Sequence, residues 1–345
     1  MTSLFTSRLN SIFVVLLLVT VLLGISGCGP QTTSVATTTN TLSDSDYFTI
    51  AVLPDTQYYS EKYPAIFTLQ TQWIADNAQA QHIVFVSQVG DLVNNYQSGN
   101  DYQWKNAQQA MGIIRSAGIP YSVVPGNHDL NFEAGDTSYY DKYFPYTDFT
   151  SYNWYGDGQY PPKNGDPPPN YPANSNASNY ETFSAQGENF VILNLACTPD
   201  VLVNTGLYTW ANNILHHYVD YKVIIVTHGY IDGNGNYTDS SSVSGKEIWQ
   251  NIVNPNSNVV VVICGHIHSS YHAAVTASHG NTIENLLFDS HSDPNGGDGW
   301  LRLYKFNPKL NEVSAVTYSP YLEEFDTSAG GEFDFSLDMT RTPIK

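Results

Sequence analysis

The chain is predicted to be an α/β protein built on a largely parallel sheet, and three observations carry that reading. Its apolar runs are short, continuous and rich in β-branched residues, as strands buried on both faces are. Between them lie segments whose apolar residues recur at helical spacing. Run after run then closes on Asp, Asn or His. Strand and helix in alternation imply βαβ crossovers, which place strands side by side and pointing the same way.

The elements follow in order. "YFTIAVLPD" (47–55) reads as a strand ending at an Asp. "YPAIFTLQTQWIADNA" has Pro64 suited to a first helical turn, with Ile66, Leu69 and Trp73 expected on its inner stripe. "HIVFVSQVGD" (82–91) is a second strand ending at an Asp. "DYQWKNAQQAMGIIRSAG" places Trp104, Ala107, Met111 and Ile114 on one helical face, and Gly118 stops it. "IPYSVVPGNHD" (119–129) is read as a third strand.

From about 131 to 179 the pattern gives way to an insert rich in Tyr and Pro. Its rings could wall the active edge, or pack the insert onto its own core. "YETFSAQGENFVILNLAC" predicts a hairpin, and "LYTWANNILHHYV" a helix with Leu207, Trp210, Ile214 and Tyr218 inward. "KVIIVTHGY" and "NVVVVICGHIH" are strands ending at His. "NLLFDSHSDPNGGDGWLRLYKF" and "EVSAVTYSP" read as a β-rich close. No repeat or internal boundary is visible, so a single domain over 47–340 is expected.

The first residues stand apart from that domain. "SIFVVLLLVTVLLGISGC" follows one positive charge, Arg8, and ends on small residues before Cys28. The ending resembles a bacterial lipobox, which predicts a signal peptide over 1–27 and a lipid anchor on Cys28; ordinary secretion is the alternative. Residues 28–46, rich in Thr and Ser, lack the apolar surface to order themselves and are expected to form a flexible tether. The chain is therefore expected outside the cytoplasm, touching membrane only through its anchor, as a monomer. Cys197 and Cys264, in strand-like surroundings, are expected as buried thiols.

The formal charge is −19, with 13 Lys+Arg against 32 Asp+Glu. So acidic a chain repels phosphate backbones, which disfavours polymeric nucleic acid as a partner.

Strands in an open α/β sheet deliver ligands at their carboxyl ends. Here those ends carry Asp55-Thr-Gln57, Gly90-Asp91, Gly126-Asn127-His128-Asp129, His228-Gly229 and Gly265-His266-Ile-His268. Mixed carboxylate, amide and imidazole donors suit Mn, Fe, Zn or Ni. More donors gather than one catalytic ion needs, which suggests two divalent or trivalent ions sharing a carboxylate. Pairs of that kind, roughly 3.5–4 Å apart, serve displacement at phosphorus.

In this order the motifs resemble those of the calcineurin-like metallophosphoesterases, D-x-H, G-D, G-N-H-[DE], H and G-H-x-H, over roughly residues 47–320. The resemblance implies a four-layer αββα sandwich of two mixed β-sheets flanked by helices. It implies that Asp91 bridges two metals, with Asp55, Gln57 and His268 completing one site and Asn127, His228 and His266 the other. His128 would stay off the metals, stabilise the transition state and protonate the leaving oxygen, with Asp129 to orient it.

One departure is visible: Gln57 stands where the family's first motif has His. Another is that "GDLVNN" lacks the Asp and Arg of the protein phosphatases' G-D-x-V-D-R-G, which argues against protein substrates.

The implied function is hydrolysis of a small phosphoester, with a diester or nucleotide favoured over a monoester, by attack of a metal-bridging hydroxide. The rival reading is a surface-anchored binding or adhesion lipoprotein that keeps the fold without turnover. A metal-free glycan binder is a third. His216 and His217 are expected at a solvent-facing helix end. His291, in a Gly-rich loop near the active edge, could contribute. Arg302 could touch substrate, but is expected to pair with an acid.

Overall fold

The computed structural model describes residues 46–131, 134–156, 175–197, 205–239 and 244–339. The expected signal peptide, Cys28 and nearly all of the tether lie outside the described residues. Among those residues, no helix is long and apolar enough to cross a membrane.

The strands are β1 (Phe48–Leu53), β2 (Ile83–Gln88), β3 (Tyr121–Val123), β4 (Asn179–Ala185), β5 (Glu188–Leu195), β6 (Lys222–Thr227) and β7 (Val259–Cys264). They continue with β8 (Ser269–Thr276), β9 (Thr282–Asp289), β10 (Leu301–Asn307), β11 (Glu312–Ser319), β12 (Glu324–Asp326) and β13 (Glu332–Ser336). One sheet runs β12-β11-β10-β1-β2-β3, with β13 beside β11. The other runs β4-β5-β6-β7-β9-β8. β1, β2 and β3 are mutually parallel, as are β5, β6, β7 and β9, while antiparallel strands close the edges. Both sheets are mixed.

Alternation along the strands makes the layers. Phe48, Ile50 and Val52 of β1 join Phe190 and Ile192 of β5, Ile224 and Val226 of β6, and Val261 and Ile263 of β7 in one apolar layer. This is the seam between the sheets. Phe48 stacks on Phe306 at 5.0 Å and meets Phe190 edge-on at 5.2 Å. The intervening residues, Ala51 and Leu53 or Val191 and Leu193, belong to the outer core under the helices. Each large side chain so buried contributes about 1.5–3 kcal/mol. The architecture is the expected αββα sandwich.

Helix α1 (Gln57–Lys62) follows β1 at once and was not foreseen. Helix α2 (Pro64–Asn77) starts with proline in its first turn and packs on α3 (Asp101–Ser116). The predicted face of α3 holds, with Trp104, Ala107, Met111 and Ile114 all buried. That of α2 needs correction: Leu69 is 39% exposed, and the buried residues are Ile66, Phe67, Gln70, Thr71 and Ile74. The inward residue beside Leu69 is polar Gln70, whose Nε2 donates to the Trp300 carbonyl at 2.9 Å. Correction is also needed at β3, which ends at Val123. Pro125 has no N–H for a sheet, and Asn127–Asp129 form a 3-10 turn.

Most of the insert's described rings pack inward. In α4 (Ser138–Tyr143), Tyr143 stacks on Trp104 at 5.4 Å, and the Tyr140 hydroxyl donates to the Val123 carbonyl at 3.0 Å. Phe149 meets Tyr121 at 5.3 Å. In α5 (Thr205–His217), Leu207, Trp210, Ala211 and Leu215 are buried, and His216 and His217 face solvent. Cys197 and Cys264 are buried free thiols. Arg302 is fully buried under the rings of Phe288 and Phe333, and donates to Ser270 Oγ and the Gly330 carbonyl rather than to an acid.

Chemical denaturation checks the corrected face of α2. Phe67→Ala is expected to cost about 3–5 kcal/mol, while Leu69→Ser shifts stability by no more than about 0.5 kcal/mol. Equal losses at the two positions would reject the assignment.

Candidate metal centre

Because the parallel strands of each sheet point one way, their carboxyl ends share a rim. There Asp55 and Asp91, from the first sheet, face His228 and His266, from the second. Sharp turns bring them in. Asp91 (φ 51°) and His266 (φ 70°) both occupy the left-handed region, which costs a non-glycine residue about 1–3 kcal/mol. Their glycine neighbours allow close approach. A Cβ on Gly126 would lie 2.1 Å from Asp91 Oδ1, and one on Gly265 would lie 2.4 Å from Asp55 Oδ1.

His228 is wholly buried. Its Nδ1 lies 3.1 Å from the Val89 carbonyl, which can only accept, so Nδ1 carries the hydrogen. Neutral His228 then turns the Nε2 lone pair toward Asn127 Oδ1 at 3.0 Å, His266 Nδ1 at 3.1 Å and Asp91 Oδ2 at 3.2 Å. Acceptors crowded this way need a proton or a cation among them. Bonds of about 2.1 Å put neighbouring ligands of one cation about 3 Å apart. A ligating His also commonly donates its other N–H to a backbone carbonyl. The donor set therefore fits a metal ion.

The second cluster gathers Asp55, Asp289 and His291, whose donor atoms lie within 4.8 Å of one another. Asp55 is buried and accepts the His266 backbone N–H at 3.2 Å and 3.3 Å. His291 Nδ1 lies 2.5 Å from Asp289 Oδ2 and 3.8 Å from Asp55 Oδ2. Gln57, at the start of α1, is buried, and its Oε1 has no hydrogen-bond partner among the described residues.

The sequence-derived residues thus divide. Asp91, Asn127, His228 and His266 converge, with Asp55 beside them. His268 is half-exposed, and its Nε2 pairs with Asp293 Oδ1 at 2.9 Å, its ring 6.0 Å from that of His291. His128 lies at the rim: its backbone N–H donates to Asp91 Oδ1 at 2.9 Å, and its Nδ1 meets the Asn94 carbonyl at 2.9 Å. Asp129 does not orient His128. Its carboxylate accepts backbone N–H groups of Leu92, Val93 and Gly126 at 2.8–3.0 Å, clamping the two motif loops together. Asp289 escaped the sequence reading, although "NLLFDSH" carries the same signal, an apolar strand closing on Asp.

Electrostatics follow from burial. Burial, with the charges of Asp289 and Asp91, pushes Asp55 well above the carboxylate range. Asp129 is raised to about 7 by burial and the charge of Asp91. Burial would raise Asp91 too, but His228 and His128 outweigh it and hold Asp91 at about 2. His228 is raised: its burial opposes the charge, but the Asp91 carboxylate prevails. Burial and the charge of His228 lower His266 to about 4.

A family model for calcineurin-like phosphoesterases matches residues 48–270. The protein YvnB of Bacillus subtilis (strain 168) is 33% identical over 306 residues, covering 85% of this chain; the chain spans 22% of YvnB. Among solved structures, a dimetal phosphatase from Danio rerio is similar with a TM-score of 0.52 at 12% identity, over 84% of this chain and 98% of that one. GAP50, the anchor in the inner membrane complex of Plasmodium, gives 0.52 at 14% identity, over 86% and 90%. These likenesses are of fold.

The pKa directions set a stability profile. Asp55, Asp129 and His228 hold protons in the folded state that the unfolded chain gives up more readily; His266 opposes them, and Asp91 does so mainly below about pH 4. Metal-free protein is therefore expected to lose stability as pH rises from about 4 to about 7. Added Mn²⁺ should raise Tm, and more at neutral than at acid pH, because protons compete for the donors. Calorimetry checks both; a Tm indifferent to Mn²⁺ across that range would contradict the donor assignment.

Proposed function

Because the chain belongs to the calcineurin-like phosphoesterase family, we propose that it is an extracytoplasmic, metal-dependent phosphoesterase acting on a small phosphodiester or nucleotide, with monoesters as weaker substrates. The observation that carries this reading is the convergence on His228 Nε2 of Asp91, Asn127 and His266 oxygen and nitrogen atoms, all at 3.0–3.2 Å.

Asp91, Asn127, His228 and His266 would hold one ion, and Asp55 with its neighbours a second. Such ions supply positive charge for phosphoryl oxygens and acidify water. The chain's own residues do the rest. Nδ1 of His128 donates to the Asn94 carbonyl, which fixes the ring and leaves Nε2 to handle a proton of the substrate. The Asp129 clamp holds the loops bearing Asp91 and His128 in register.

Substrate size is argued from the rim. A cleft of about 370 Å³ beside His291 is lined in part by Tyr58, Lys62 and Tyr63. Two phenol rings suit the flat leaving group of a nucleotide-sized ester better than a folded protein. Most of the insert's described rings are spent on packing, and the aromatic surface lining this cleft comes from Tyr58 and Tyr63. The extracytoplasmic setting and the lipid anchor rest on residues 1–28. A monomer is the state proposed for the chain.

Two measurements test this. With Mn²⁺, the protein is expected to hydrolyse bis-p-nitrophenyl phosphate faster than the monoester, and His128→Ala to lower kcat about 10²–10⁴-fold with metal content intact. Fully loaded protein inert toward both would instead support the binding-protein reading. For the anchor, Cys28→Ser is expected to move the protein from the membrane pellet to the soluble fraction; an unchanged distribution would reject lipidation there.

A further inference from the structure

Given the metal-dependent reading above, on which this step rests, we propose that Asp289 and His291 are ligands of the ion at Asp55, supplying from a different strand the imidazole that Gln57 does not.

The topology makes this possible. β9 lies parallel to β7 and pairs with it through Val261–Cys264, so Asp289 reaches the same rim as His266. Asp289-Ser290-His291 has the same spacing as Asp55-Thr56-Gln57 but ends in the His that the latter lacks.

The local contacts go further. Asp55 and Asp289 are both buried, and their carboxylate oxygens and a ring nitrogen of His291 all lie within 4.8 Å of one another. Two buried carboxylates and an imidazole gathered this closely offer a cation a set of oxygen and nitrogen donors. His291 is fixed to Asp289 twice, by its backbone N–H to Oδ1 at 2.9 Å and by Nδ1 to Oδ2 at 2.5 Å. That bracing holds the imidazole 3.8 Å from Asp55. The neighbouring Gln57 amide oxygen, buried without a hydrogen bond, is a further donor awaiting a positive partner. His268 instead pairs with Asp293. A carboxylate pair with one imidazole and an amide oxygen makes a harder site than a His-rich one, and suits Mn²⁺ or Fe²⁺.

Equilibrium dialysis with Mn²⁺, read by elemental analysis, tests the assignment without reference to turnover. Wild type is expected to bind two equivalents. His291→Ala and Asp289→Asn should weaken one of them by about tenfold or more and leave the other in place. Gln57→His introduced into His291→Ala should restore the weakened equivalent, which also guards against simple misfolding. Two equivalents held with unchanged affinity in both single variants would overturn the proposal while leaving the metal-dependent reading intact. Wild type that binds no Mn²⁺ would overturn that reading itself.

Discussion

His228 ties the two sheets together, and the rim depends on how it is held. It enters on the second sheet, yet its Nδ1–H is anchored to the carbonyl of Val89, beyond the end of β2 in the first. That single hydrogen bond selects the tautomer. Once Nδ1 is committed, Nε2 sits beside Asp91 Oδ2 and Asn127 Oδ1 only with a proton or a cation to share. Leaving such a group unmatched when buried costs about 1–3 kcal/mol. The arrangement is therefore poised for a cation, and the surrounding turns spend backbone strain to keep it so.

The same constraint explains the neighbours. Asp91 is bound by the backbone of His128 and by His228, and so remains ionised although buried. Asp129, one residue beyond His128, is buried in a nest of N–H groups and fixes the loops. Two carboxylates close together thus take different tasks because different donors surround them. An acidic chain can then concentrate positive charge at one rim through bound ions, with few lysines nearby.

Much of this was legible in the sequence. Buried parallel strands declare themselves as unbroken β-branched runs, and their terminal Asp, Asn and His residues fall at one rim by topology alone. The less legible parts share a cause: they depend on the partner rather than the period. Leu69 sits at the right spacing for burial, but Gln70 turns inward because a carbonyl of Trp300 awaits it. The insert's tyrosines could equally have formed a wall, and only the ring stacks on Trp104 and Tyr121 show where the described ones go. Asp289 was missed because its strand lies late in the chain, outside the recognised motifs, although its apolar-run-then-Asp signature matches those of Asp55 and Asp91. His268 pairs with Asp293, a rotamer choice that spacing does not encode.

The most direct measurement is anomalous X-ray diffraction from crystals of the protein grown with Mn²⁺. Two adjacent peaks are expected at the rim, one within coordinating reach of Asp91, Asn127, His228 and His266, the other within reach of Asp55. An empty rim in saturating Mn²⁺, with His228 Nε2 hydrogen-bonded to its neighbours alone, would contradict the account.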